Sequence, residues 1–390
     1  MTPPVDNELF ERIVALRRDL HRHPELAWNE TRTATKVCET LDALGIPYRS
    51  GVAGTGVVAD LEGAARGAPV ALRADMDALP ITEETALEYA SDTDGAMHAC
   101  GHDGHTAMLL GAAELLKRDG ELPCPVRLIF QPAEETGTGA PAMMEEGALD
   151  DVRLVFGGHL DAAYDTGEIV VHQGAVNAST DEFVIELAGP GGHAARPHET
   201  VDPIVAGSLV VSALQTIVAR AVEPSQAAVV SVGQFDAGTA SNVIASRARL
   251  RGTLRALEPA VRVQLVDAVR QIVESTAAAQ GVSAAVEIVA GTPAVLNAPQ
   301  ATSLARDAAA LVVGPGGVKP LGRPNLGGED FGFFLERVPG CYVRFGARPA
   351  GEGFPAHSSK FRFDEQALAL GAAYFYHVAL LAGRALAESA

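Results

Sequence analysis

Four cysteines, at 38, 100, 124 and 341, are scattered without the spacing of a disulfide framework. The chain therefore does not read as a small stapled scaffold, and a reducing compartment leaves these thiols free. Basic runs are missing as well. With 30 Lys and Arg against 49 Asp and Glu, the formal net charge of −19 repels phosphate backbones and anionic lipid, so nucleic acid is not an expected partner. No stretch approaches roughly 18 apolar residues free of charge, which argues against a membrane span. The opening Met-Thr-Pro-Pro-Val-Asp-Asn-Glu has no basic region ahead of an apolar run, so no secretory signal is expected and the expected location is the cytoplasm. Internal repeats and low-complexity linkers are absent too.

What is present is an ordinary globular balance, 47% apolar and 20% charged, in 390 residues, which is long for one core and sufficient for two. Glu8 to Arg22 places Leu9, Ile13, Leu16 and Leu20 on one helical face, and a second helix is expected at about 31–44. Pro47 to Leu61, Pro69 to Ala74, Val126 to Phe130 and Leu154 to Gly158 read as apolar strands. From about Asp181 the pattern becomes strand, helix, strand, strand, helix, strand, the order of a ferredoxin-like unit. Beyond Pro293 a helix near 300–313, a strand near Cys341 to Phe345 and a closing helix from Glu365 to Ala387 return to the first pattern. The expected fold class is α/β: one domain from residues 1–180 and 293–390, with a smaller α+β domain inserted at 181–292.

The densest chemistry lies in His98-Ala-Cys-Gly-His-Asp-Gly-His105, which packs three imidazoles, a thiol and a carboxylate into eight residues. Its two glycines permit positive φ, so that Cys100 and His102 can face one centre, and helical spacing begins at Thr106. Strand ends supply more donors. Asp75 and Asp77 follow one strand, Glu134 and Glu135 another, and His159 a third, while His357 follows the strand near Cys341. In α/β sheets this edge is where ligands bind. A mixed set of imidazole, carboxylate and thiolate suits zinc or another first-row divalent ion better than magnesium or calcium. The set is large enough for two ions, which at about 3.5 to 4 Å separation acidify a shared water and polarise a carbonyl. Glu134 or Glu135 would then be the general base.

Arg18-Asp-Leu-His-Arg-His-Pro-Glu25, Ala74-Asp-Met-Asp-Ala-Leu-Pro80, the His98 to His105 run, Gln131-Pro-Ala-Glu-Glu135, Gly157-Gly-His159 and Gly327-Gly-Glu-Asp-Phe331 together resemble the M20 metallopeptidase family. Within it, the match is to the branch of amidohydrolases acting on N-acyl amino acids, and it runs from about Leu9 to the C-terminus. The resemblance implies a catalytic α/β domain with two divalent ions (Zn, Mn, Co or Ni) and an inserted lid that also forms a homodimer. It implies His102 and His159 on one ion, Glu135 and His357 on the other, and Cys100 between them. Many relatives have a ligating His at the position of Asp75 and a bridging Asp at that of Cys100; this chain carries the branch's variant, with His102 taking over the missing imidazole's duty. Glu134 becomes the base that later protonates the leaving amine, and Asp77 an acceptor that orients a ligand. His193 would stabilise the oxyanion in the partner subunit's site, and Asn242 and Arg255 would bind the substrate carboxylate.

The implied reaction is hydrolysis of an N-acyl amino acid to a carboxylate and an amino acid. The rivals are a carboxypeptidase or dipeptidase, and a silent binding protein. Other residues carry structural expectations: His21 and His23 as caps of a helix end, Asp103 as a partner of a liganding imidazole, His98 and His105 as flanking groups, and Trp28 packed under the rim. Glu329 or Asp330 is expected to support the pocket, and His172, His198 and His377 are expected to be ordinary.

Overall fold

All six residues from Val70 to Asp75 are buried, and their strand sits in the middle of an eight-stranded sheet in the computed structural model. The structure describes residues 5–64, 68–351 and 353–388. The first four residues, on which part of the expectation about a secretory signal rests, lie outside them, as does one position of the loop at 348–353.

A strand that is apolar on both faces needs neighbours and covering helices on both sides, the signature of a parallel sheet. Val126–Gln131 and Leu154–Asp161 flank the central strand, both parallel to it, and Gly340–Gly346 adds a further parallel neighbour beyond Leu154–Asp161. The Tyr48–Val52 and Gly56–Leu61 hairpin closes one edge, while the two-residue strands Ile169–Val170 and Val318–Lys319 close the other. Parallel strands bring their C-terminal ends to one edge. Asp75, Gln131 and His159 emerge there, from three adjacent strands.

The helices His102–Asp119, Pro299–Val313 and Gln366–Glu388 pack on this sheet, and Asn7–Arg22 packs on His102–Asp119 and Gln366–Glu388. Gly111 makes the closest approach possible, since a Cβ there would run into Ile13 and Ala372. In Asn7–Arg22 the buried face is Leu9, Ile13, Arg17, Leu20 and His21, so two polar residues share the stripe expected to be apolar. Gln366–Glu388 and Pro203–Ala221 also reach the length and hydropathy of a membrane span, contrary to expectation. The first is 78% buried within the protein over that window, as befits a core helix; the second is 28% buried.

The chain divides into two compact units. One holds the eight-stranded sheet and takes the chain through Val176, Leu296–Arg323 and everything from Asp330 on. The other takes Asn177–Val295 and the short return Pro324–Glu329. Its sheet runs Ala228–Ala237, Arg247–Ala256, Ser179–Ala188, Ser283–Ala290, antiparallel throughout. With helices Pro203–Thr216 and Pro259–Gln280 this is the ferredoxin-like order. Burial alternates along Ser179–Ala188, as in a sheet with one covered face, and Phe183, Ile185 and Leu187 enter a core of their own with Val210, Leu214, Leu265 and Val269.

Candidate metal centre

Gly101 stands at φ 92° as the N-cap of the helix His102–Asp119, and this left-handed residue turns the chain between Cys100 and His102. The helix starts four residues earlier than its apolar spacing announces, because His102, Asp103 and His105 occupy its first turn in full burial. Gly104 is helical rather than left-handed; its missing Cβ admits Leu160 and Phe363.

His102 is fixed through one ring nitrogen. Nδ1 lies 2.9 Å from the main-chain oxygen of Asp77 and 3.2 Å from its Oδ1, so Nδ1 is a donor to Asp77 and Nε2 is the nitrogen left for a cation once its own proton is lost. The same carboxylate accepts the N–H groups of Glu134 at 3.1 Å and Glu135 at 3.0 Å. Ahead of them Ala133 adopts φ 54°, so the chain turns just after Pro132. Both glutamates consequently face one way: His102 Nε2 is 3.9 Å from Glu134 Oε2 and 3.9 Å from Glu135 Oε1.

Several groups of donors result, His102 with Glu134 and Glu135 among them, and two of the triads share Cys100. Cys100, His102 and His159 have their ligand atoms within 4.8 Å of one another, and so do Cys100, Glu135 and His357. Cys100 belongs to both. Its Sγ lies 3.2 Å from His159 Nε2, and His357 Nε2 lies 3.4 Å from Glu135 Oε1. His102 Nε2 and Glu135 Oε1 are buried atoms without a hydrogen-bond partner. Two orphaned donors aimed at each other's neighbourhood are costly unless a cation satisfies them, so the residues present fit a metal.

The electrostatics are those of a cage for positive charge. Burial alone would strip His102 of its extra proton, but Asp75, then Cys100 and Asp77, hold its pKa well above the usual imidazole value. The Glu135 carboxylate beside it raises that of His357. Burial, aided by His105, pushes His159 well below it, and burial pushes the Cys100 thiol up to about 12.

Asp75 is engaged elsewhere. It is fully buried, with Arg73 Nη1 at 2.5 Å and His105 Nδ1 at 2.6 Å. His105 Nε2 in turn accepts the Leu160 N–H at 2.9 Å, so this ring has no nitrogen left for a cation. Arg73 also reaches Asp330, whose carboxylate further accepts Gln131 Nε2 and the Ala140 N–H, while the Asp330 N–H donates to Glu134 Oε1 at 3.3 Å. Asp330 thus supports the turn that bears Glu134.

Several expectations need correction. His23 does cap a carbonyl, that of Asp19, at 2.8 Å, but His21 does not. It is buried, with Nδ1 2.8 Å from Asp103 and Nε2 3.3 Å from Glu83. Asp103 therefore pairs with His21 and Arg17, not with a candidate ligand. Trp28 is 42% exposed, not packed under a rim. His98 is buried with both ring nitrogens unpartnered, and burial lowers its pKa to about 4. Sequence reasoning missed Glu30, a buried carboxylate that accepts the Ala133 N–H at 2.9 Å; an isolated acid before a helix gives no hint of that contact.

Three candidates belong to the second unit. His193 is exposed on a short ribbon, paired with Val243, and its Nδ1 accepts the Ala195 N–H at 3.0 Å, which leaves Nε2 as the donor. Asn242 neighbours it, its main-chain oxygen accepting the Ala194 N–H at 3.1 Å. Arg255 sends Nη1 to the Leu326 carbonyl at 2.7 Å.

The sequence profile of Peptidase family M20/M25/M40 matches residues 71–381. The chain is similar to thermostable carboxypeptidase 1 of Saccharolobus solfataricus, at 41% identity over 94% of each chain. It is also similar to an N-acetylcysteine deacetylase of Bacillus subtilis, at 39% identity over 96% of this chain and 98% of the relative. Among solved structures, a Bacillus subtilis protein described as a dinuclear metal-binding peptidase of the M20 family superposes with a TM-score of 0.86 at 36% identity, over 97% of this chain and 99% of the other. Matched along nearly its whole length, and carrying two donor triads at the strand ends, the chain belongs to peptidase family M20/M25/M40 and is a hydrolase.

Proposed function

We propose that the protein is a di-metal amidohydrolase that cleaves N-acyl amino acids to a carboxylate and a free amino acid. The observation that carries this reading is the pair of donor triads sharing Cys100, with the orphaned His102 Nε2 and Glu135 Oε1 between them. His102 and His159 would hold one ion, Glu135 and His357 the other, and Cys100 both. Zn, Mn, Co and Ni all accept such donors. Bound there, a divalent ion supplies Lewis acidity, polarising the amide carbonyl and acidifying water.

The chain's own groups do the rest. Glu134, 9% exposed and beside the triads, takes a proton from the attacking water and delivers it to the leaving nitrogen as the C–N bond breaks. Asp77 keeps the His102 proton on Nδ1. His193 Nε2 donates to the oxyanion, and Asn242 and Arg255 bind the carboxylate of the amino acid. The second unit also serves as lid and homodimer surface, a reading supported by the exposed apolar side chains Ile204, Val205, Leu209, Phe235 and Val243 gathered on it. The cytoplasm, which keeps Cys100 reduced, is the proposed location.

The test is to strip the protein of metal, reload it with each of the four ions and assay acetyl, benzoyl and indoleacetyl amino acids. If no loaded form hydrolyses any of them, nor any short peptide, the reading fails. A second reading, a carboxypeptidase or dipeptidase, is favoured by the 41% identity to a relative named carboxypeptidase. Turnover of dipeptides with a free amine, in preference to acylated ones, would establish it.

A further inference from the structure

Trp28 and Ala133 are two of the few residues other than glycine with left-handed backbone, at φ 69° and 54°. Their N–H groups converge on one oxygen, Oε1 of Glu30, at 3.0 and 2.9 Å. The other oxygen of Glu30 accepts the Thr55 hydroxyl at 2.6 Å. Glu30 is fully buried, and belongs to neither donor triad.

An L-residue at positive φ crowds its Cβ against the backbone, so the conformation persists only where the surroundings impose it. At Ala133 the imposing group is on the page. Three consecutive main-chain donors, of Ala133, Glu134 and Glu135, are taken by two carboxylates from elsewhere in the chain: Glu30 takes the first, Asp77 the other two. The direction in which both glutamate side chains leave the backbone follows from that capture. A carbonyl or carboxylate oxygen suffices for it; nothing in the contact requires a charge.

We propose that Glu30 is a positioning residue: by holding the left-handed Ala133 N–H, it sets the turn that aims Glu134 at the substrate and Glu135 at the ion pair. The proposal rests on the di-metal hydrolase reading above. Glycine takes positive φ without a holding partner. An Ala133→Gly change therefore compensates for the loss of Glu30, which no general stabilising role would produce.

The test compares wild type, Glu30→Ala, Glu30→Gln, Ala133→Gly and the Glu30→Ala/Ala133→Gly double variant as full-length protein. Readouts are kcat and KM after metal loading, and cobalt titration of the metal-free protein. Glu30→Ala should lower kcat by about 10- to 100-fold while KM stays within about threefold. It should also weaken one of the two cobalt sites. Glu30→Gln, which keeps a carbonyl oxygen, should stay near wild type, and the double variant should recover most of kcat and the cobalt affinity. Should Glu30→Ala fail to fold, Glu30→Asp, one methylene too short to reach Ala133, takes its place with the same expectations. The proposal is overturned if the folded Glu30 variant keeps wild-type kcat and cobalt affinity, or if adding Ala133→Gly restores neither. A wild type that binds cobalt but hydrolyses no acyl amino acid or peptide defeats the functional reading instead, and the cobalt titrations still decide the role of Glu30.

Discussion

His102 turns Nδ1 toward Asp77, 2.9 Å from its main-chain oxygen, and thereby presents Nε2 to the space shared with Glu135. Asp77 sits where it can fix both an imidazole and the backbone of the neighbouring turn. Replacing it by Ala removes the acceptor side chain and should weaken metal binding by about 10- to 100-fold. Competition with a chromogenic chelator measures this; unchanged affinity would leave Asp77 without its orienting role.

Glu134→Gln removes the base without removing a donor of either triad. Turnover should fall by about 10² to 10⁴, with both metal equivalents retained by elemental analysis. Glu135→Gln should instead lose metal. The reverse pattern would exchange the roles of the two glutamates.

Metal affinity should climb with pH. His102, raised mainly by Asp75 against the effect of burial, His357, raised by its bond with Glu135, and Cys100, pushed by burial to about 12, must each lose a proton to bind a cation. The metal-free protein behaves oppositely. A raised His pKa adds stability that is complete below about 6.5 and fades as pH rises through the folded value. Thermal melts of metal-free protein should therefore move down as pH rises from about 6 to about 9, while metal affinity moves up. Melts that rise with pH in the absence of metal would contradict the assignment.

Arg17 lies 2.8 Å from Asp103 and 3.2 Å from Glu365, fully buried. Arg17→Met takes the guanidinium from the buried Asp103, leaving it only His21, and should cost about 3 to 5 kcal/mol of stability, read by denaturant unfolding. Burial opposes ionisation of Asp103, but Arg17 and His21 outweigh it and hold the carboxyl below its usual range. A depressed pKa gives stability that is present above the ordinary carboxylate value and lost as pH falls through the folded one. The variant should show a weaker acid-side dependence, since only His21 remains to hold the carboxyl down. A change below about 1 kcal/mol would show the pair to be no better than a surface bridge.

Strands and helices were legible wherever one face or one run was apolar. Val70–Asp75 and Ser179–Ala188 follow directly from their patterns. The two-residue strands and the short helices Gly139–Glu145 and Phe331–Arg337 were not, because so few residues carry no period. That Cys100, His102, Glu135, His159 and His357 come together could be expected because residue types able to ligate a metal recur just past the apolar strands and in the run His98 to His105. What stayed hidden were buried ionic partnerships. Arg17 and His21 sit in an apolar stripe, and Glu30 meets Ala133 across 103 positions of chain, contacts that no local pattern encodes.

The membership of Cys100 in both triads has a consequence for how the centre fills. If Cys100 serves both ions as proposed, its sulfur gives up its proton only once, so the first cation would bear that cost and leave a thiolate for the second. In the proposed two-ion centre, loading would then be reciprocal and cooperative. Serine at this position would uncouple the two events, turning a steep uptake curve into two shallow ones.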